Sequence, residues 1–301
     1  MTHVATLISN PKRPAVTETV IDRVRDTLRT MHDIAPLNEG VAADLPFDPQ
    51  GRDLTDIARE LEDTLAPDPV DIFIQPAEGS ADRRKRLFLA DMDSTMIEQE
   101  CIDELADYVG LKDEVSAITE RAMRGEIAFE PALRERVALL KGLAVGVIDE
   151  IITRRISLMP GGLTLVRTMR RHGAYTCLVS GGFTLFTGPV AAKLGFEEHR
   201  SNRLVIAGEE LAGRVEEPIL GREAKLATLV ELRERLGLRR EETLAVGDGA
   251  NDLAMLGEAG LGVAYHAKPA VAAAAHARIE HGDLTALLYL QGYRADEFIS
   301  G

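Results

Sequence analysis

The sequence predicts an α/β protein: a Rossmann-like parallel-sheet core, an inserted helical cap and a small α+β domain at the N-terminus. Three observations predict it. The runs Leu87–Ala90, Tyr175–Val179, Thr243–Val246 and Leu261–Ala264 are short and apolar without alternation, as in strands buried on both faces. Helical stretches over Gly162–Arg171, Phe183–Leu194, Arg222–Leu236 and Asn251–Glu258 separate them, the order of a parallel sheet covered by helices. Between the first and second strands, residues 98–159 carry helical periodicity alone. Phe129, Leu133, Val137 and Leu140 form one apolar stripe, and Ile148, Ile151 and Ile152 another.

Taken in order, the chain opens with a strand at Val4–Ile8 and a helix within Val16–Met31, where Val20, Ile21, Val24 and Leu28 repeat at helical spacing. Residues 33–47 read as extended and ambiguous, and stand for one strand in a β-α-β-α-β order. A helix over Leu54–Leu65 and a strand over Val70–Ile74 follow, and Gln75–Ser80 reads as a linker. The expected units are an N-terminal domain over 1–80, a core over 81–97 and 160–301, and a cap over 98–159. Within the core, Arg203–Val215 reads as a β-hairpin with Gly208 near its tip. The basic run Arg83-Arg84-Lys85-Arg86 precedes an apolar strand and reads as a solvated strand entrance.

Composition narrows the partners. A formal charge of −14 disfavours nucleic acid, whose phosphates most of the surface would repel. No apolar stretch is long enough to span a bilayer, and MTHVATLISNPKRP lacks the pattern of a secretory signal. Cys101 and Cys177 are too few for a disulfide framework or a thiolate metal site. They read as buried structural thiols. A cytoplasmic location is expected, and a homodimer is left open.

The chemistry lies at the strand ends. Three of the four runs lead into polar clusters: Asp91-Met92-Asp93-Ser94-Thr95, Ser180-Gly181-Gly182, and Gly247-Asp248-Gly249-Ala250-Asn251-Asp252. In an open parallel sheet the ligand crevice lies outside those carboxyl ends. Converging carboxylates from Asp91, Asp93 and Asp248, with no soft ligand nearby, suit a hard cation, and Mg²⁺ is the natural choice. Ser180-Gly181-Gly182, running into a helix, combines a hydroxyl, backbone N–H groups and a helix N-terminus in one anion site. Alone, each motif would read as a turn; together they outline one crevice.

On these residues the stretch from about 84 to 290 resembles the haloacid dehalogenase superfamily. Asp91-Met92-Asp93-Ser94-Thr95 matches its first motif, Ser180 its second, Lys225 its third, and the Gly247–Asp252 cluster its fourth. The strings DMDSTMIEQECIDELA, RAMRGEIAFEPALRERVALLKGL, VSGGF and AVGDGANDLAML are similar to the branch that hydrolyses phosphoserine. The resemblance implies a magnesium-dependent phosphomonoesterase that forms an aspartyl-phosphate on Asp91, with Asp93 as general acid and base. It implies Asp91, the backbone carbonyl of Asp93 and Asp248 as metal ligands. Ser180, Gly181, Lys225 and Asn251 would hold the phosphorylated substrate, with Asp252 orienting its neighbours. In the cap, Glu100 would take the ammonium of a small phosphorylated amino acid and Arg136 its carboxylate. The product would be L-serine, placing the enzyme in serine biosynthesis.

Two other readings stand beside this one: the same chemistry on another small phosphorylated metabolite, or a regulator whose N-terminal domain senses a ligand. The N-terminal order is loosely similar to the amino-acid-binding ACT fold but reads one strand short.

Overall fold

The structure, a computed structural model, describes residues 1–77, 83–123 and 126–300. Part of the expected linker, the 80/81 boundary, and Arg124 and Gly125 of the cap string lie outside the described residues. Among the described residues no helix is long and apolar enough to cross a membrane.

The N-terminal region runs β1 (His3–Ser9), α1 (Glu18–Leu28), β2 (Ala35–Asn38), β3 (Ala42–Phe47), α2 (Leu54–Leu65) and β4 (Val70–Pro76). The ambiguous segment 33–47 thus supplies two strands. They complete an antiparallel sheet of order β2-β3-β1-β4, a ferredoxin-like βαββαβ unit, and the expected missing strand is present. Prolines hid these strands. Pro36 lies in a four-residue edge strand, and Pro46, which cannot donate, falls where β2 has already ended. Thr17 and Asp53 cap the helices, which lay Val20, Val24, Leu28, Ile57, Leu61 and Leu65 over Ala5, Leu7, Ala43 and Leu45.

The core and cap follow as β5 (Leu87–Ala90), α3 (Cys101–Tyr108), α4 (Lys112–Met123), α5 (Phe129–Leu139), α6 (Gly146–Arg154), α7 (Gly162–Arg171), β6 (Tyr175–Phe183), α8 (Thr184–Leu194), β7 (Glu198–Asn202), β8 (Leu204–Ala207), β9 (Glu210–Val215), α9 (Arg222–Arg235), β10 (Thr243–Gly247), α10 (Leu253–Glu258), β11 (Leu261–Tyr265), α11 (Pro269–Ala272), β12 (Ala277–Ile279) and α12 (Ala286–Leu290). Six strands form a parallel sheet of order β12-β11-β10-β5-β6-β7. The four central strands are the four apolar runs. β7 and β12 sit at the edges; β7 is made of mostly polar side chains and β12 is only three residues long, so neither shows as an apolar run. Helices α3 to α6 occupy the insertion after β5. The β8–β9 hairpin reaches that insertion through hydrogen bonds from Gly142 N to Leu211 O (2.9 Å), Leu211 N to Leu143 O (2.8 Å) and Val145 N to Glu209 O (2.8 Å).

The second face of the N-terminal sheet lies on the core. Ile8, Leu37, Val41 and Ala42 join Tyr289 and Tyr293 in one apolar cluster. Asp71 accepts backbone N–H bonds from Glu280 (2.8 Å), His281 (3.1 Å) and Gly282 (2.8 Å). Gln75 donates to Leu290 O (2.8 Å) and Asn38 to the Tyr289 hydroxyl (2.7 Å). The basic run is a solvated entrance only at its Arg86 end, where the side chain is exposed. Arg83 is buried and pairs with buried Asp44, which also accepts from Thr6 (2.6 Å), while Arg84 pairs with Glu297 and stacks over Tyr293. Sequence alone could not show that an acid 39 residues upstream neutralises Arg83.

Removing one partner of a buried ion pair leaves the other charge uncompensated. Asp44→Ala is expected to cost about 3–5 kcal/mol of unfolding free energy, and Asp44→Ala/Arg83→Met distinctly less. Urea unfolding of both variants checks this; equal losses would refute the account.

Candidate active site

The carboxyl ends of β5, β6 and β10 open onto one crevice, and the polar clusters stand around it. Asp91 follows β5, Ser180 lies in β6, and Asp248 follows β10. Lys225 enters from the first turn of α9 and is 1% exposed. Its ammonium lies 2.7 Å from Asp91 Oδ1 and 2.7 Å from Asp252 Oδ1. Met92 N also donates to Asp91 Oδ1 (2.8 Å), and among the described residues no donor reaches Asp91 Oδ2.

Carboxylate oxygens of Asp91, Asp248 and Asp252 all lie within 4.8 Å of one another. Asp252, expected only to orient its neighbours, belongs to this cluster, whereas the Asp93 side chain does not. Asp252 accepts from Lys225 and from Gly249 N (3.1 Å), and Thr95 donates to Asp248 at 3.4 Å. One ammonium faces three carboxylates. Burial, and then the Asp252 charge, push the Asp91 carboxyl well above its ordinary range despite Lys225. Burial alone would lower Lys225, but Asp91 and Asp252 raise it overall, so it stays charged. An all-oxygen donor set short of positive charge fits a hard divalent cation.

Asp93 stands beside this cluster. Burial raises it to about 6, while hydrogen bonds from the Cys101 thiol and backbone N–H act downward. Among the described residues its buried Oδ1 has no partner. Cys101, read from sequence as structural, therefore also contacts a candidate catalytic carboxylate. Burial and the Asp93 charge push its thiol up, so it remains protonated and donates.

Ser180 Oγ accepts from Gly182 N (2.9 Å), which holds the hydroxyl at the crevice floor. A Cβ on Gly182 would come within 3.0 Å of Ser180 Oγ and 3.3 Å of Asp93 Oδ2, and one on Gly181 within 3.2 Å of the Phe129 ring. The glycines leave the turn close to these side chains, and a larger residue would require them to shift. Asn251 sits in the turn after β10, where a Cβ on Gly249 would meet its Oδ1 at 2.2 Å. Phe129, missed as a site residue because it reads as part of an apolar stripe, begins α5 and lies against Gly181 and Gly221.

The two expected cap residues face the same region without pairing. Glu100 precedes α3 and accepts from Ser94 Oγ (2.8 Å); Ser94 itself has a left-handed φ of 56°. Desolvation in the crevice, and then the Asp93 charge, raise Glu100 to about 7. Arg136 is half-buried in α5, and among the described residues it forms no ion pair. Burial lowers its pKa, against the charges of Asp103 and Glu100.

Residues 88–257 match the haloacid dehalogenase-like hydrolases, more than half of the chain. The chain belongs to that family. It is 49% identical over 210 residues to a phosphoserine phosphatase of Polaromonas sp., covering 68% of this chain and 89% of the relative. It is 37% identical over 292 residues to a phosphoserine phosphatase of Streptomyces coelicolor, covering 97% and 71%. The fold is similar to the unliganded crystal structure of a probable phosphoserine phosphatase from Vibrio cholerae, with TM-score 0.78 and 29% identity over 97% of this chain and 86% of that one. The crevice of this haloacid dehalogenase-like hydrolase thus lies where the family motifs converge.

Because the folded-state pKa of Glu100 is raised, folding favours its protonated form. That stability is complete below about pH 4.5 and is lost as pH rises through about 7. In metal-free protein, Glu100→Gln is expected to show a smaller fall in Tm between pH 5 and pH 8 than the parent. Scanning calorimetry at the two pH values checks it; parallel falls would refute the assignment.

Proposed function

We propose that the chain is a Mg²⁺-dependent phosphoserine phosphatase, hydrolysing L-phosphoserine to L-serine and phosphate through an aspartyl-phosphate on Asp91. One observation carries the reading: Asp91 presents an uncommitted Oδ2 beside Asp93, whose pKa of about 6 suits an acid that must later act as a base. The names of its relatives support the substrate. So do the unlike charges of Glu100 and Arg136 in the cap.

In this mechanism Lys225 and Met92 N hold Asp91 by Oδ1, so that Oδ2 attacks phosphorus in line. Ser180 Oγ, the backbone N–H groups of the Ser180-Gly181-Gly182 turn and Lys225 receive the phosphoryl oxygens, with Asn251 at the rim. Asp93, protonated in the attacking state, gives its proton to the departing seryl oxygen. It then takes one from the water that opens the aspartyl-phosphate. Phe129 lies over the glycine turn at the entrance to the site. Asp91, Asp248 and the backbone carbonyl of Asp93, with Asp252 in the same cluster, would hold Mg²⁺, which would supply charge neutralisation for the phosphoryl group. Glu100 takes the substrate ammonium and Arg136 its carboxylate.

In this reading residues 1–80 form an ACT-like domain, 81–97 and 160–301 the core, and 98–159 the cap, in a cytoplasmic enzyme of serine biosynthesis.

A phosphate-release assay on phosphoserine, with chelator and with Mg²⁺ restored, tests the function. Activity is expected only with the metal, and full turnover in excess EDTA would refute it. Asp91→Asn is expected to lower kcat by more than about 10³-fold without loss of fold. Near-normal turnover, with deamidation excluded by mass spectrometry, would remove Asp91 as nucleophile.

A further inference from the structure

The guanidinium of Arg136 is held by two neutral acceptors. Its Nε donates to Ala132 O, one turn back in α5 (3.3 Å), and its Nη1 donates to Thr119 Oγ1 in α4 (3.2 Å). The Thr119 hydroxyl has one proton and gives it to Val115 O in its own helix (3.0 Å), so a lone pair is turned toward Arg136. Neither acceptor carries charge. Among the described residues no carboxylate pairs with this half-buried cation, and no acceptor reaches Nη2. Asp103 and Glu100 act on it only through space, and a partly dehydrated cation with no carboxylate in contact is costly until an anion arrives to pair with it.

We propose that Thr119 is a positioning residue for substrate selection: it locks the Arg136 guanidinium so that the Nη2 edge is presented to the substrate carboxylate. The inference rests on the reading that Arg136 takes that carboxylate. Thr119 does not touch the substrate. It spares the arginine the loss of rotamer freedom on binding, which makes recognition of the carboxylate tighter without altering the phosphoryl site.

Binding of two phosphonates tests this in the intact chain with Mg²⁺. 2-Amino-4-phosphonobutyrate and 3-aminopropylphosphonate differ only in the carboxylate. By calorimetry, Thr119→Val is expected to weaken the first about 10- to 100-fold and the second less than about 2-fold. Thr119→Ser, which keeps the hydroxyl, is expected to restore most of the difference; Thr119→Ala serves if the valine does not fold. Arg136→Ala is the reference. If it lowers the preference for the carboxylate-bearing ligand but Thr119→Val and Thr119→Ala do not, the Thr119 proposal is overturned and the Arg136 reading stands. If Arg136→Ala leaves the preference unchanged, the reading of Arg136 fails, and the proposal with it. Equal weakening of both phosphonates by the Thr119 variants overturns the proposal as a merely structural effect.

Discussion

A single buried ammonium organises the crevice. Lys225 is 1% exposed and lies between two carboxylates, of which Asp252 is fully buried, and Asp248 is close by. No one of these charges would be stable there alone. Lys225 fixes one oxygen of Asp91 and leaves the other open, and it draws Asp252 against the β10 turn. That turn must be tight. A Cβ on Gly247 would come within 2.4 Å of Asp252 Cγ, so the glycine is required by the carboxylate packed on it. The lysine does not complete the charge balance, since three acids face it. The remaining imbalance makes the crevice receptive to a divalent cation and, through it, to a phosphoryl group.

Much of this was legible in the sequence, for a physical reason. Strands buried on both faces have no freedom to carry polar residues until they end, so each central strand reads as an apolar run stopped by a polar cluster. Asp91, Asp93, Ser180 and Asp248 stand out on that ground. Lys225 does not; in isolation it is a helical lysine, and only the family resemblance promoted it. The elements that escaped notice are those with weak burial or prolines: β2, β3, β7 and β12. Asp252 looked secondary because its partner, Lys225, lies 27 residues away in sequence. Thr119, Phe129 and Cys101 matter through contacts across helices, which no local pattern reports.

The hairpin β8–β9 belongs to the core in sequence and to the cap in contact. Its second strand lies against α5, and its backbone bonds tie residues 142–145 to the core side of the molecule. The cap is therefore held at more than its two chain connections. Helix α5, which carries Arg136, has the hairpin behind it and α4 beside it. An arginine on such a helix can be aimed to within the tolerance that a bidentate contact demands.

The four backbone groups that Asp71 and Gln75 address lie within residues 280–290, next to Leu284, whose N–H bonds Pro160 O (3.1 Å) where the cap rejoins the core. Gly161 follows with φ 81°, and a Cβ there would meet Thr285 N at 2.7 Å. Excising the N-terminal sheet from this chain would thus do more than remove an appendage. It would strand three amide protons, bare the flank of Tyr289 and Tyr293, and loosen the segment that clasps the cap's returning stem. The N-terminal sheet is joined to the core as a keystone is to an arch: outside the opening, yet bearing on how it is framed.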